Sequence, residues 1–197
     1  MKPFHPLIVA TTSAARRQMM EKAGLKVHFQ PPGLNEDALR QANVGLDGKC
    51  MAQTLADAKA SSIITPDSIV IGADQTLELH GQLLTKPKAM VDARQQLKAM
   101  RGHIHHLHSA VSCTRNGQLI YRHVETATMR VRDFSDDFLE SYLAHAGPTV
   151  LHSVGCYFYE AGGIQLFDKV EGDYYTILGL PLLPLLAFLR NAAMIAA

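Results

Sequence analysis

The chain has 197 residues, of which 47% are hydrophobic and 19% charged, enough apolar material for one domain or two tightly joined lobes and too much for a disordered chain. Nineteen Lys and Arg stand against eighteen Asp and Glu, a formal charge of +1, which lacks the basic excess of a nucleic-acid binder but leaves room for a small polyanionic ligand. The longest uncharged apolar stretch, residues 176–189, is too short for a membrane span and contains Gly179, Pro181 and Pro184.

The first residues, MKPFHPLIVATTSAARR, make a poor signal peptide, with a brief apolar run and no small-residue cleavage site. Cys50, Cys113 and Cys156 are far apart and odd in number. They predict neither a disulfide framework nor a zinc knuckle, read as buried small hydrophobes, and make a reducing cytoplasm the default compartment.

Leu7–Ala10 reads as a buried strand. Ser13 reads as the N-cap of a helix that buries Met19, Met20 and Ala23 and stops at Gly24. Val27–Gln30 is a second strand, broken by Pro31, Pro32 and Gly33. Residues 35–47 are polar and carry no pattern. From Gly48 a helix is expected, with Met51, Leu55, Ala58 and Ser62 on its apolar side, ended by Pro66. Ser68–Gly72 is a buried strand, and residues 76–84 form a hairpin around His80-Gly81. Met90, Ala93, Leu97 and Met100 mark a helix closed by Gly102. Residues 103–132 are two long strands about Asn116-Gly117. Ser135 caps a helix that ends at Gly147, and short strands lead to a final helix from Pro181. This order predicts an α/β protein with a mixed sheet flanked by helices.

Several residues could carry chemistry. A strand followed by T-T-S-A-A-R-R and a helix can cradle a phosphate on free backbone N–H groups. Arg16 and Arg17 in the first turn oppose the macrodipole, and a bound phosphate or plain solvation accounts for them equally. Asp74 follows a buried strand, where a carboxylate needs a partner or a metal; alone it reads as a turn aspartate. Lys59 adjoins the helix stripe, where lysines usually snorkel. Lys86 lies in a K-P-K turn and Glu36 in a loop. His103, His105, His106 and His108 alternate along a strand, two on each face, with no acid or cysteine nearby to complete a metal site.

Taken in order, LIVATTSAARRQMMEKAGL at 7–25, LADAKA at 55–60, VIGADQT at 70–76, TKPKAMVDARQQLKAMRGHIHHLHSAV at 85–111 and FDKVEGDYYTILGLPL at 167–182 resemble the Maf family of nucleotide pyrophosphatases. The resemblance spans Leu7 to Arg190. It implies a single domain over 1–197 with a Maf/ITPase-like elongated sheet and two lobes around a cleft. It also implies hydrolysis of nucleoside triphosphates to monophosphate and pyrophosphate, with Mg²⁺ or Mn²⁺ as cofactor, and the family has been linked to septum formation and cell-division arrest. The family pattern places phosphate binding on Ser13 and Arg16, metal and catalysis on Glu36 and Asp74, with Asp74 as proton acceptor, and catalytic cations on Lys59 and Lys86. Ala15 stands where many members carry the first arginine of S-P-R-R. Gln75 after the acid, and Glu160 where many have glutamine, look like the subgroup that prefers 7-methyl-GTP and would contact the substrate. A regulatory interaction module and a nucleic-acid-binding domain are the competing readings. The expected partners are a nucleoside triphosphate and, in a homodimer, a second copy of the chain.

Overall fold

Five of the helices among the described residues begin where a polar side chain accepts a backbone N–H. The computed structural model describes residues 6–196. Ser13 caps α1 (Ala14–Lys22), Asn35 caps α2 (Glu36–Ala42), Asp47 caps α3 (Gly48–Ser61) and Ser135 caps α5 (Asp136–Ala146), each accepting from the third residue on. The others are α4 (Met90–Met100), α6 (Tyr174–Ile177), with Asp173 as its cap, and α7 (Leu182–Asn191), which follows Pro181.

The strands are β1 (Leu7–Ala10), β2 (Val27–Gln30), β3 (Ile69–Leu79), β4 (Gln82–Leu84), β5 (Ile104–Arg115), β6 (Gln118–Val131) and β7 (Phe167–Glu171). They form one mixed sheet of order β2-β1-β3-β5-β6-β7, with β4 also on β3. β1 runs parallel to β2 and β3, and all other pairs are antiparallel. The hairpins turn at His80-Gly81 and Asn116-Gly117, where all four residues have positive φ, as a two-residue hairpin turn requires.

Two departures from the expected elements matter for the site. Residues 35–47 contain α2, which has no apolar stripe to reveal it. The expected strand 68–72 and hairpin 76–84 are joined, because β5 pairs with β3 along the whole of residues 69–79. Asp74 is therefore mid-strand, not at a strand end. The tail holds one strand, β7, after 3₁₀ segments at Gly147–His152 and Gly162–Leu166.

α3 buries Met51, Ala52, Leu55, Ala56, Lys59 and Ala60, while Ala58 and Ser62 are half-buried. The buried face is thus rotated from the expected one, and Lys59 lies inside it. A Cβ at Gly72 would stand 2.3 Å from both Ala56 O and Ala60 N. Only glycine lets α3 lie so close to β3. Cys113 and Cys156 are buried as expected; Cys50 is exposed, because the first turn of α3 turns it to solvent.

Buried apolar side chains form two main clusters. One joins β1, α1, α7 and the first half of β3 through Val9, Met20, Ile71 and Leu185. The other joins the second half of β3 to β5, β6, α4 and α5 through Leu77, Leu97, Met129 and Leu139. Between them the sheet has an opening. β1 leaves β3 after the pair Ala10–Gly72, and β4 joins it only at Leu84–Leu77. Among the described residues, no strand pairs with β3 on that side from Ala73 to Thr76. Among the described residues, no helix is long and apolar enough to cross a membrane.

Candidate active site

The opening in the sheet is where the charged residues converge. Alternation along β3 sends Asp74 to the face covered by α3, and Lys59 reaches it from the helix. Lys59 Nζ lies 2.6 Å from Asp74 Oδ1 and 3.0 Å from Glu36 Oε2. Asp74 is 4% exposed and Lys59 5% exposed. Neither charge would be tolerable there alone; together each has its counter-ion. Glu36 is the first residue of α2 and keeps more of its surface in solvent.

Arg40 Nη2 donates to Asp74 Oδ2 at 3.2 Å. The sequence reading missed this residue. Asn35 followed by Glu36 and Asp37 is a helix-start signal, and Arg40, four residues after Glu36, would then fall on the same helix face.

Arg16 is placed from the other side of the opening. Ser13 Oγ accepts from Arg16 N, which starts α1 and fixes the turn. The Arg16 side chain then runs across to the loop after α6, where Nε donates to Gly179 O at 2.8 Å. Burial draws its guanidinium below the ordinary arginine range, while Asp74 and Glu36 pull it back up. Arg17 turns away: Nη2 donates to Thr11 O, and the guanidinium sits 5.0 Å from the centre of the Phe29 ring.

Gln75 faces the opposite side of the sheet from Asp74. Its Nε2 donates to Ser109 Oγ, Thr176 O and Ile177 O, each at 3.0 Å. Two hydrogens shared among three acceptors leave that nitrogen committed to the fold. Ser109 Oγ also donates to Thr176 O, and Thr176 Oγ1 donates to Glu125 Oε2. These bonds hold α6, and with it the Gly179 carbonyl that orients Arg16.

The structure brings Ser13, Arg16, Glu36, Lys59 and Asp74 to one place. Lys86 and Glu160 are exposed and make no hydrogen bond or ion pair with that group. Lys86 is two residues past the end of β4, so the β4 register, continued, would carry it to the level of Gln75 at the rim of the opening. Glu160 lies in the turn before Gly162–Leu166.

Three of the four strand histidines are bound to hydroxyls, and His108 Nε2 also lies 3.5 Å from Glu78 Oε2, an acid not expected beside the cluster because it comes from the neighbouring strand. His105 Nε2 pairs with Tyr157 Oη, His108 Nδ1 with Thr126 Oγ1 and His106 Nδ1 with Thr128 Oγ1. Among the described residues, no group of three or more His, Cys, Asp or Glu could hold a metal. Glu36 and Asp74 nevertheless suit a hard divalent cation. Both carboxylates point at one position, now taken by the Lys59 ammonium, and such a cation needs only one or two carboxylates beside phosphate oxygens.

A buried carboxylate among three cations, at a break in a strand edge, can bind a polyanion and take a proton from water beside it. A nucleoside triphosphate pyrophosphatase of Granulibacter bethesdensis is 47% identical over 190 residues, 94% of this chain and 96% of its own. A 7-methyl-GTP pyrophosphatase of Rhizobium meliloti is 43% identical over 201 residues, covering 100% of both chains. A solved HAM1 protein from Coxiella burnetii is 12% identical, with a TM-score of 0.41 over 66% of this chain and 74% of that one. The family model described as Maf-like protein matches residues 6–192, and with that span and those relatives the chain belongs to the Maf family.

Proposed function

We propose that this protein hydrolyses nucleoside triphosphates to a nucleoside monophosphate and pyrophosphate. The observation that carries the reading is the buried Asp74 carboxylate held by Lys59 and Arg40, with Arg16 beside it. The names of the relatives support the substrate class. Water attacks the α-phosphorus, the bond from that phosphorus to the bridging oxygen breaks, and pyrophosphate leaves. Asp74 Oδ2 takes the proton of the water, because Oδ1 is held by Lys59. Arg16, its Nε fixed by Gly179, offers both Nη groups to phosphate oxygens. Lys59 and Lys86 add positive charge, so the chain's own contribution is placement and charge neutralisation. Mg²⁺ or Mn²⁺, held by Glu36 and Asp74, would neutralise phosphate charge when bound. We place the reaction in the cytoplasm, where the three free cysteines stay reduced.

The base is a separate question. Glu160 is exposed and unpaired, and a carboxylate there suits the N–H donors and the positive ring of 7-methylguanine. The test is chromatography of products from a set of nucleoside triphosphates with Mg²⁺ or Mn²⁺, 7-methyl-GTP included. Monophosphate plus pyrophosphate is expected. Diphosphate plus orthophosphate would move the cleavage position, and no turnover would favour the regulatory module. Glu160→Gln should lower kcat/KM for 7-methyl-GTP more than for UTP. An equal loss on both would remove Glu160 from base selection.

A further inference from the structure

No residue from Pro31 to Asp47 is buried, although this connection supplies two of the side chains at the centre of the site. A surface helix is ordinarily held by an apolar stripe. α2 buries nothing. Within residues 31–46, two side-chain bonds reach the rest of the described chain: Glu36 to Lys59 and Arg40 to Asp74. Val44, 84% exposed, stands in solvent beside them. Among the described residues these two ion pairs are the segment's side-chain bonds to the body, and both end on the Lys59–Asp74 pair.

The two cations on Asp74 are unequal. Lys59 is buried on a packed helix and lies 2.6 Å from Oδ1. Arg40 makes one contact at 3.2 Å to Oδ2, its side chain is 28% exposed, and its helix has no apolar anchor. Arg40 is therefore the partner that can leave. It covers the oxygen that must accept the proton. Guanidinium holds phosphate through two parallel N–H donors, a better match than its single contact here.

We propose that Arg40 is a substrate-binding residue that exchanges Asp74 for a phosphate oxygen of the substrate, and that residues 31–47 move with it as a lid. The exchange uncovers Oδ2 only when a polyphosphate is in place. In this exchange, which involves no metal, Lys59 stays on Oδ1. The proposal rests on the reading of the opening as a polyphosphate site.

The probe is inorganic tripolyphosphate, bound by the full chain in EDTA and followed by calorimetry, so neither metal nor turnover enters. Arg40→Ala should weaken binding about tenfold, the scale of one charge-assisted hydrogen bond, and Arg40→Lys should recover part of it. Asp74→Asn should tighten binding, because it frees Arg40 and removes a like charge. In the Arg40→Ala background most of that gain should vanish, a coupling that a double-mutant cycle reads directly. Amide hydrogen exchange supplies the second measurement: tripolyphosphate should protect residues 36–42 in the wild type and not in Arg40→Ala. Unchanged binding by Arg40→Ala, an equal gain from Asp74→Asn in both backgrounds, or a wild type that does not bind tripolyphosphate would each overturn the proposal. Turnover is scored separately. The binding pattern without pyrophosphate release from any triphosphate would retire the hydrolysis and leave Arg40 in place; turnover with unchanged Arg40→Ala binding would do the reverse.

Discussion

On the face of β3 that lies under α3, polar contacts stand among small apolar ones such as Val70 and the α3 alanines. Asp74 meets Lys59, Thr76 Oγ1 donates to Gly48 O, and beside them Thr114 Oγ1 donates to Ala60 O and Ser112 Oγ to Asp57. On the opposite face, Ile71 and Leu77 enter the two apolar clusters, and Gln75 is the polar interruption between them. The difference teaches how one short stretch serves two tasks. Strand alternation sends Asp74 to a helix that can bring a buried cation, and sends Gln75 to the loops that fix Arg16. Both faces end at the same opening, one through Lys59 and the other through the Gly179 carbonyl.

Breaking the polar face should have the largest effect. Asp74→Asn is expected to lower kcat by about 10²–10⁴, the usual range for loss of a general base. It also takes one of two anions from the buried Lys59, so unfolding in urea should show a loss of about 1–3 kcal/mol, less than a wholly orphaned pair because Glu36 remains. A kcat within threefold of wild type would reduce Asp74 to a counter-ion for Lys59.

Gln75→Glu breaks the other face. A carboxylate cannot donate to Thr176 O and Ile177 O, and the two carbonyls would face a charge. Stability should fall by about 1–3 kcal/mol, with KM rising more than kcat falls, because Arg16 loses its fixed carbonyl. Unchanged stability with altered base preference would return Gln75 to the substrate.

A smaller effect sharpens the contrast by asking whether the second face accepts charge at all. His105 is fully buried there, with Tyr157 on Nε2 and nothing on Nδ1. Burial pushes its pKa down to about 3, with His106 adding to the shift. The unfolded chain takes up that proton near pH 6.5 and the folded chain does not. Stability that is complete above pH 6.5 is therefore lost on acidification, by about 1.4 kcal/mol per pH unit until about pH 3. Thermal melts from pH 7.5 to 5 should fall more steeply for the wild type than for His105→Phe. Parallel curves would mean that the histidine finds a way to hold its proton when folded.

Legibility in the sequence followed physical signal. Ser13, the strand at Leu7–Ala10 and the Asn116-Gly117 turn were readable because each is decided within a few residues. Gly72 was harder. A glycine in a strand reads as a break until a helix backbone is found 2.3 Å from where its Cβ would be. α2 left no apolar period, so Arg40 went unseen. Gln75 looked like a reader of the base because its acceptors, Ser109, Thr176 and Ile177, lie 34 to 102 residues away. Asp74, Lys59 and Glu36 emerged from the resemblance as a set, whereas each alone suited a commonplace surface role.

The unpaired edge of β3 has a consequence for solubility. Bare strand edges are templates on which other chains add, and proteins usually blunt them. This one runs only from Ala73 to Thr76, bounded by β1 at one end and β4 at the other. Four residues are fewer than a usual strand of about five or six, so a foreign strand gains little by docking there. The α2 segment, tied to Asp74 through Arg40, stands guard over the same edge. Four bare residues are too short a stretch to seed a fibril.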